Sequence, residues 1–370
     1  MSECTVPTRR KIHPAFTMSI VITSQITVGM LAFQKYVYKE AGHDAWFSVI
    51  AAGICAHFSV FMIVKTLSRF NFNSLYEIHN QLFGKWGGSI INGVLICYWL
   101  AVSTYVLRNY IEVLLIWIFP DVPIWVFGLM FFVLIAYGLA GGLTVISVIS
   151  FIHLLLVSWL ILLLYFPLKT ADFHQLTPVI EANISQLFKG MLAMGATIGG
   201  YDVLFYTSSH MKEPHRIHRY AHMALFIVNV LYLMIMLVSI GYYSPKQIVN
   251  NSWDTLTMLK TVGFSFLERF EYIVIMMWFI IVLANLMITS WVIIQGITRM
   301  VKVKRKNVYI GLCLVQLIII QMLQTGDQLA VLSNLINDVA IFLSFMYPFV
   351  LFVMATIILG IRCRRRKEHI

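Results

Sequence analysis

MLAMGATIGGYDVLFYTS, residues 191–208, decides how the rest of this chain is read. The stretch is apolar enough to lie in a bilayer, yet Gly195, Gly199 and Gly200 loosen its middle and Asp202 follows at once. Each glycine costs about 1 kcal/mol of helix propensity relative to alanine, and a carboxylate at bilayer depth costs about 2.5–3.5 kcal/mol on insertion scales. A helix interrupted so that its freed backbone groups line a cavity accounts for both costs. A glycine face for close helix packing is the alternative.

The surrounding chain is of the same class. Hydrophobic residues make up 60% and charged residues 12%, with a mean hydropathy of +0.83, which excludes an ordinary soluble domain. Apolar runs long enough to cross about 30 Å of hydrocarbon occupy 17–37, 45–65, 89–119, 123–140, 145–167, 187–208, 221–243, 271–297, 308–325 and 338–361. These ten runs predict an all-α integral membrane protein forming a single membrane domain over 1–370. Residues 1–16 are its N-terminal segment and 362–370 a basic tail. Span 1 is read as a retained span rather than a cleaved signal.

Charge sets the expected orientation. With both termini inside, the inner segments hold 19 of the 27 Lys and Arg, including Arg9, Arg10, Lys212, Arg299 and the tail RCRRRKEH, against seven in the outer segments. That asymmetry predicts cytoplasmic termini and a tail resting on anionic lipid, so the net charge of +11 is not read as a nucleic-acid signal. Cys4, Cys55, Cys97, Cys313 and Cys363 show no paired spacing, so no disulfide framework or metal site is expected. No phosphate-cradling loop, nucleophile with a base, or cofactor motif is present in the sequence. The protein is expected not to be an enzyme and to need no cofactor; transport or sensing of a small molecule remains.

Span 1 carries TSQITVGM, residues 23–30, where Gln25, Thr27 and Gly29 place polar groups and a flexible point near mid-membrane. Spans 1 and 6 run in opposite directions, and interruptions at corresponding places in two halves point to inverted repeats, 17–167 and 187–361. The stretches SRFNFNSLYEIHNQLFGKW (68–86) and SPKQIVNNSWDTLTMLKTV (244–262) add a second correspondence, with helix starts expected at Ser74–Glu77 and Ser252–Thr255. In span 3, positions 98, 102, 105, 109 and 112 share one stripe. Arg108 and Glu112, spaced i,i+4, either pair within the bundle or snorkel outward. Asn285 and Thr289 share a face of span 8, open to a ligand or to backbone bonding. His57 and His153 are read either as packing histidines or as parts of a proton path.

The combination SQITVGMLAF (24–33), EAGHDAW (40–46), LFGKWGG (82–88), LTPVI (176–180) and ERFEYIVIMMW (268–278) resembles the B subunits of spore germinant receptors. These form the spore permease family of the amino acid–polyamine–organocation superfamily, and the similarity runs over nearly the whole chain. The resemblance implies a LeuT-like fold of two inverted five-helix repeats with helices 1 and 6 interrupted, in a spore inner membrane. It also implies A and C partner subunits and a nutrient germinant such as an amino acid or sugar. Glu271, commonly Asp in the family, and a single glycine at the span 1 break depart from the pattern. The expected ligand site comprises Gln25, Thr27, Gly29, Tyr98, Gly195, Gly199, Gly200, Tyr201, Asp202, Asn285 and Thr289, with Arg108 and Glu112 as an intramembrane ion pair. An H⁺- or Na⁺-coupled amino acid transporter is the rival reading.

Overall fold

A computed structural model describes residues 11–262 and 269–368. Cys4, Arg9, Arg10, Glu268 and His369 lie outside the described residues, as do the side chains from Arg362 onward. The described residues are almost entirely helical. Seven helical segments are long and apolar enough to cross a membrane. Ile124–Ala140, in span 4, is shorter at 17 residues. Neither span 1 nor span 6 is a continuous helix.

Span 1 runs as Phe16–Gln25, extends through Ile26 and Thr27, makes one tight turn at Val28–Leu31 and resumes as Phe33–Ala41. Span 6 starts at Ile184, where Asn183 and Gln186 form a reciprocal cap, and ends its first half at Ile198. Gly199 is extended (φ −59°, ψ −176°) and Gly200 is left-handed (φ +98°) before helical turns resume from Tyr201. A left-handed residue ends a helix, and glycine takes that conformation without a Cβ penalty. The breaks therefore fall where polar and glycine residues interrupt the apolar runs.

The two broken spans are held by their neighbours. The first half of span 1 packs on span 5 (Gly142–Leu163) and span 7 (Ile217–Tyr242), while span 2 (Ala45–Arg69) packs along span 7. Span 8 (Glu271–Met300) lies along span 3, the membrane part of the helix Leu75–Trp117. That helix bends at Gly84 (φ +76°), which separates a short initial segment from the span.

The expected helix starts are used differently from a simple cap. Ser74 precedes the helix, but its hydroxyl receives a hydrogen bond from Arg299, which also pairs with Glu77 at 2.9 Å. The capping pair thus ties the end of span 8 to the 68–86 stretch. In the other half the reciprocal cap is Ser244 with Gln247, and the second short helix is Asp254–Leu259. Thr255 instead donates to Met30 O at 2.8 Å and accepts from Gln34 Nε2 at 2.8 Å, anchoring that helix to span 1. Spans 9 and 10 also shift: span 9 is Arg305–Met322, and span 10 begins at Gly326 rather than 338, capped by Thr325 and Gln328. The capping signal T-x-x-Q was present in the sequence; the polar side chains after it made the segment read as a loop.

Two of the quoted motifs meet. Asp44, in EAGHDAW, accepts the backbone N–H of Ile180, the last residue of LTPVI, at 2.9 Å, and those of Glu181 at 2.6 Å and Ala182 at 2.8 Å just after it. Its buried carboxylate fixes the entry to span 6 and holds Ile180 at φ +70°. Asp44→Ala leaves three N–H groups without that acceptor, at about 1–3 kcal/mol for each that stays dry. The purified variant should lose several degrees of Tm, with Asp44→Asn intermediate because one acceptor oxygen remains. An unchanged Tm for Asp44→Ala would show that the loop is held by something else.

Candidate functional site

The breaks face a cavity of about 380 Å³. Thr27, Gly29, Gly199, Gly200 and Asp202 contribute from the broken spans, Tyr98 and Glu112 from span 3, and Asn285 and Thr289 from span 8. A Cβ on Gly29 would lie 3.3 Å from Thr197 Oγ1, so the two breaks cross closely there. The cavity continues past Lys35, Ile116 and Gly326 toward the ends of spans 1, 3 and 10. Trp253 and Ser252, beside the short helix, complete its wall. Outside the spans, burial pushes the Asp254 carboxyl up to about 7, opposed by the neighbouring Asn251 and the nearby Lys35 charge.

On the Trp99 side the wall is backed by packed aromatic rings. Trp99 and Tyr206 meet edge-on at 5.9 Å, Tyr206 packs on Tyr76 at 5.0 Å, and the Tyr76 hydroxyl donates to Val292 O at 3.2 Å. Ile12 is bonded to the end of span 6, its N–H donating to His210 O at 2.9 Å and its carbonyl accepting from Lys212 N–H at 2.8 Å.

Four of the expected site residues are not on the cavity wall. Gln25 donates to Ile198 O at 2.6 Å, capping the first half of span 6. Tyr201 donates to Ser344 O at 2.7 Å, on the far side of the break. Gly195 packs against Ile341 of span 10, so the packing reading holds for this glycine while Gly199 and Gly200 form the break. Arg108, 3% exposed, pairs with Glu112 at 2.9 Å and donates through Nε to Leu323 O at 2.7 Å. A guanidinium there also offsets the negative end of span 9.

An interrupted helix leaves carbonyls without partners, and side chains answer most of them. Asn285 Nδ2 donates to Thr23 O at 3.2 Å, and the Tyr232 hydroxyl donates to Gln25 O at 3.1 Å. These span 1 carbonyls are braced by side chains of spans 7 and 8. Gln25 Oε1 and Asn285 Oδ1 are buried acceptors with no partner among the described residues.

Several cavity residues fall outside the expected ligand set. Tyr105 accepts from Asn109 Nδ2 at 2.9 Å and from Ser333 Oγ at 3.2 Å, and Asn337 Oδ1 accepts the Ala196 N–H at 3.1 Å. Tyr105 and Asn109 were on the span 3 stripe; Ser333 and Asn337 were hidden by the misplaced start of span 10. His57 lies outside the cavity, stacked on His222 with their Nδ1 atoms 2.8 Å apart. His153 is buried with neither ring nitrogen hydrogen-bonded among the described residues.

Comparison with known proteins places this arrangement. The spore permeases, described as spore germination protein, match residues 11–329. The chain belongs to this family. Among its relatives, spore germination protein GerQB of Bacillus cereus is 29% identical over 351 residues, covering 95% of this chain and 97% of the relative. Spore germination protein A2 of Bacillus subtilis (strain 168) is 25% identical over 355 residues, covering 94% and 96%.

Two solved transporters share the fold of this spore permease. One is a Na⁺-coupled sialic acid symporter in a substrate-bound outward-open state, with a TM-score of 0.65, 12% identity and coverage of 91% of this chain and 79% of that one. The other is Mhp1, a nucleobase-cation-symport-1 transporter in a closed conformation with bromovinylhydantoin bound, with a TM-score of 0.56, 14% identity and coverage of 94% and 82%. The expected LeuT-like fold is thereby found, in an integral membrane protein of the spore germination permease family.

Proposed function

We propose that this spore permease is the membrane subunit of a nutrient germinant receptor, binding a small germinant such as an amino acid or sugar and signalling together with A and C subunits in the spore inner membrane. The observation that carries the reading is the cavity bounded by both helix breaks in a chain of this family. Occupancy there biases which of two arrangements the broken spans adopt, and partner subunits read that equilibrium. Thr27, Gly29, Tyr98, Gly199, Gly200, Asp202, Asn285 and Thr289 form the ligand wall; Gln25, Tyr201, Gly195 and the Arg108–Glu112 pair hold it in shape.

Thr289→Leu tests the site. Among the described residues the Thr289 hydroxyl bonds only its own helix, at Leu286 O, 3.1 Å, so the larger side chain fills part of the cavity without stranding another group. The germinant concentration for half-maximal response should rise at least about 10-fold, or about 1.4 kcal/mol, at normal receptor abundance. Lys260→Arg, which keeps the cation over Trp117, is the control. An unchanged dose response for Thr289→Leu would move the site elsewhere.

A second reading, H⁺- or Na⁺-coupled amino acid transport, is favoured by the shared fold with two cation-coupled transporters. Counterflow of labelled amino acids in liposomes separates the two. Robust uptake by the chain alone would replace the receptor reading.

A further inference from the structure

We infer that the outward face of span 10 around Asp338 docks a membrane helix of a partner subunit, one that sets a lysine or arginine against the Asp338 carboxylate. This rests on the receptor reading and deepens it, naming where a partner sits and the charge it must bring.

Depth is the first observation. Gly326–Ile361 is one of the apolar segments long enough to cross a membrane, and Asp338 lies about 18 Å along it from Gly326 at the usual helical rise. Contacts on the inner side fix the same level. Asn337, the adjacent residue, accepts the Ala196 N–H just before the span 6 break, and Ser344 O accepts the Tyr201 hydroxyl just after it. Asp338 is therefore level with that break and not at a helix end.

Orientation is the second. The cavity takes one side of this helix through Leu329, Ser333 and Ile336. Asp338 falls on the opposite side, in a stripe with Val331, Leu335 and Phe342 at helical spacing, and all four side chains are exposed. Apolar residues above and below a carboxylate at this depth suit a second membrane helix, since a soluble domain does not reach there.

The third is charge. Glu112 pairs with Arg108 and Glu271 with Arg269, and Asp202 lines the cavity. Among the described residues no donor or cation pairs with the Asp338 side chain. Its stem is too short to carry the charge to the interface as a lysine or arginine does. Charged groups in a bilayer turn inward or pair with one another; Asp338 does neither until another chain covers it. Lipid tails offer no cation, so the complementary charge comes from a protein helix. The inner face of span 10 holds both sides of the span 6 break, so a partner on its outer face sits one helix away from the cavity.

The test co-expresses the tagged full-length chain with the A and C subunits, purifies it in mild detergent and blots for each subunit. Asp338→Leu, Asp338→Asn and Asp338→Lys should each lower the recovery of one subunit at least about 10-fold, as expected when a covered charge pair loses one member. Asp338→Glu should recover part of it. Exchanging a membrane-helix lysine or arginine of that subunit for aspartate should restore recovery with Asp338→Lys. The purified chain alone supplies the folding control: Asp338→Leu should unfold at or above the wild-type Tm, because an unpaired carboxylate has left its surface. Unchanged recovery with Asp338→Lys, or no restoration by any such exchange, overturns the inference and leaves the receptor reading standing. A lowered Tm for Asp338→Leu overturns it too, since the carboxylate would then serve the fold of the chain itself. So does a dimer of the isolated wild-type chain that Asp338→Leu dissolves, which would make a second copy the occupant. Recovery of neither subunit with the wild-type chain overturns both readings.

Discussion

Gly200→Ala should abolish the germination response and lower the amount of protein in the membrane. Gly200 sits at φ +98°, where an L-residue is strained by about 1–3 kcal/mol. A Cβ there would also drive into the Ser24 carbonyl. That neighbour is backbone of the other broken span, itself braced by Asn285, so it has no rotamer through which to yield. The two breaks must separate, and the cavity wall with them. Gly199→Ala provides the contrast. Gly199 has an ordinary φ of −59°, and its Cβ would meet Ser344 Oγ at 2.9 Å and Gly195 O at 3.0 Å; the first is a hydroxyl that can rotate away. Immunoblots of spore membranes and germination rates against germinant concentration should rank wild type above Gly199→Ala, and Gly199→Ala far above Gly200→Ala. Wild-type abundance and response in Gly200→Ala would mean that the breaks do not meet at Ser24.

The second large effect concerns Arg108 and Glu112. Removing Glu112 leaves a guanidinium that is 3% exposed with, among the described residues, the Leu323 carbonyl as its hydrogen-bond partner. Breaking a buried pair by deleting one partner costs about 3–5 kcal/mol. The partner here is 24% exposed, so Glu112→Ala is placed at the lower end of that range. The double variant Arg108→Ala, Glu112→Ala should be milder than the sum of the singles, because no unpaired charge remains. Arg108→Ala also removes the donor to the end of span 9, so some loss should persist in the double variant. Thermal unfolding of the four proteins in one detergent measures the cycle. Strict additivity would show that the pair contributes no coupling and that the arginine acts through Leu323 alone.

Much of the architecture was legible because it follows from local physics. A run such as 271–297 spans a bilayer whatever it touches, since hydrocarbon demands apolar side chains and internally satisfied backbone. The interruptions at Gly29 and at Gly199–Gly200 were legible for the same reason: glycine, polar side chains and a carboxylate carry a cost in such a helix that packing alone does not explain. The i,i+4 spacing brought Arg108 to Glu112 without any tertiary information.

What the tertiary structure decided was the rotation of each helix and the job of each polar side chain. Lipid and protein interior are both apolar, so the pattern along a membrane helix does not tell which face looks inward. Gln25 and Asn285 read alike as polar groups near a break, yet one caps span 6 from behind while the other braces span 1. Asp44 gave no local sign that it would bind three N–H groups more than 130 positions away. Ser333 and Asn337 looked like loop residues until span 10 was seen to start at Gly326 and carry them to the cavity. Each of these depends on long-range hydrogen bonds whose partners are fixed only when the helices pack, because a buried polar group takes whichever partner the fold brings within reach.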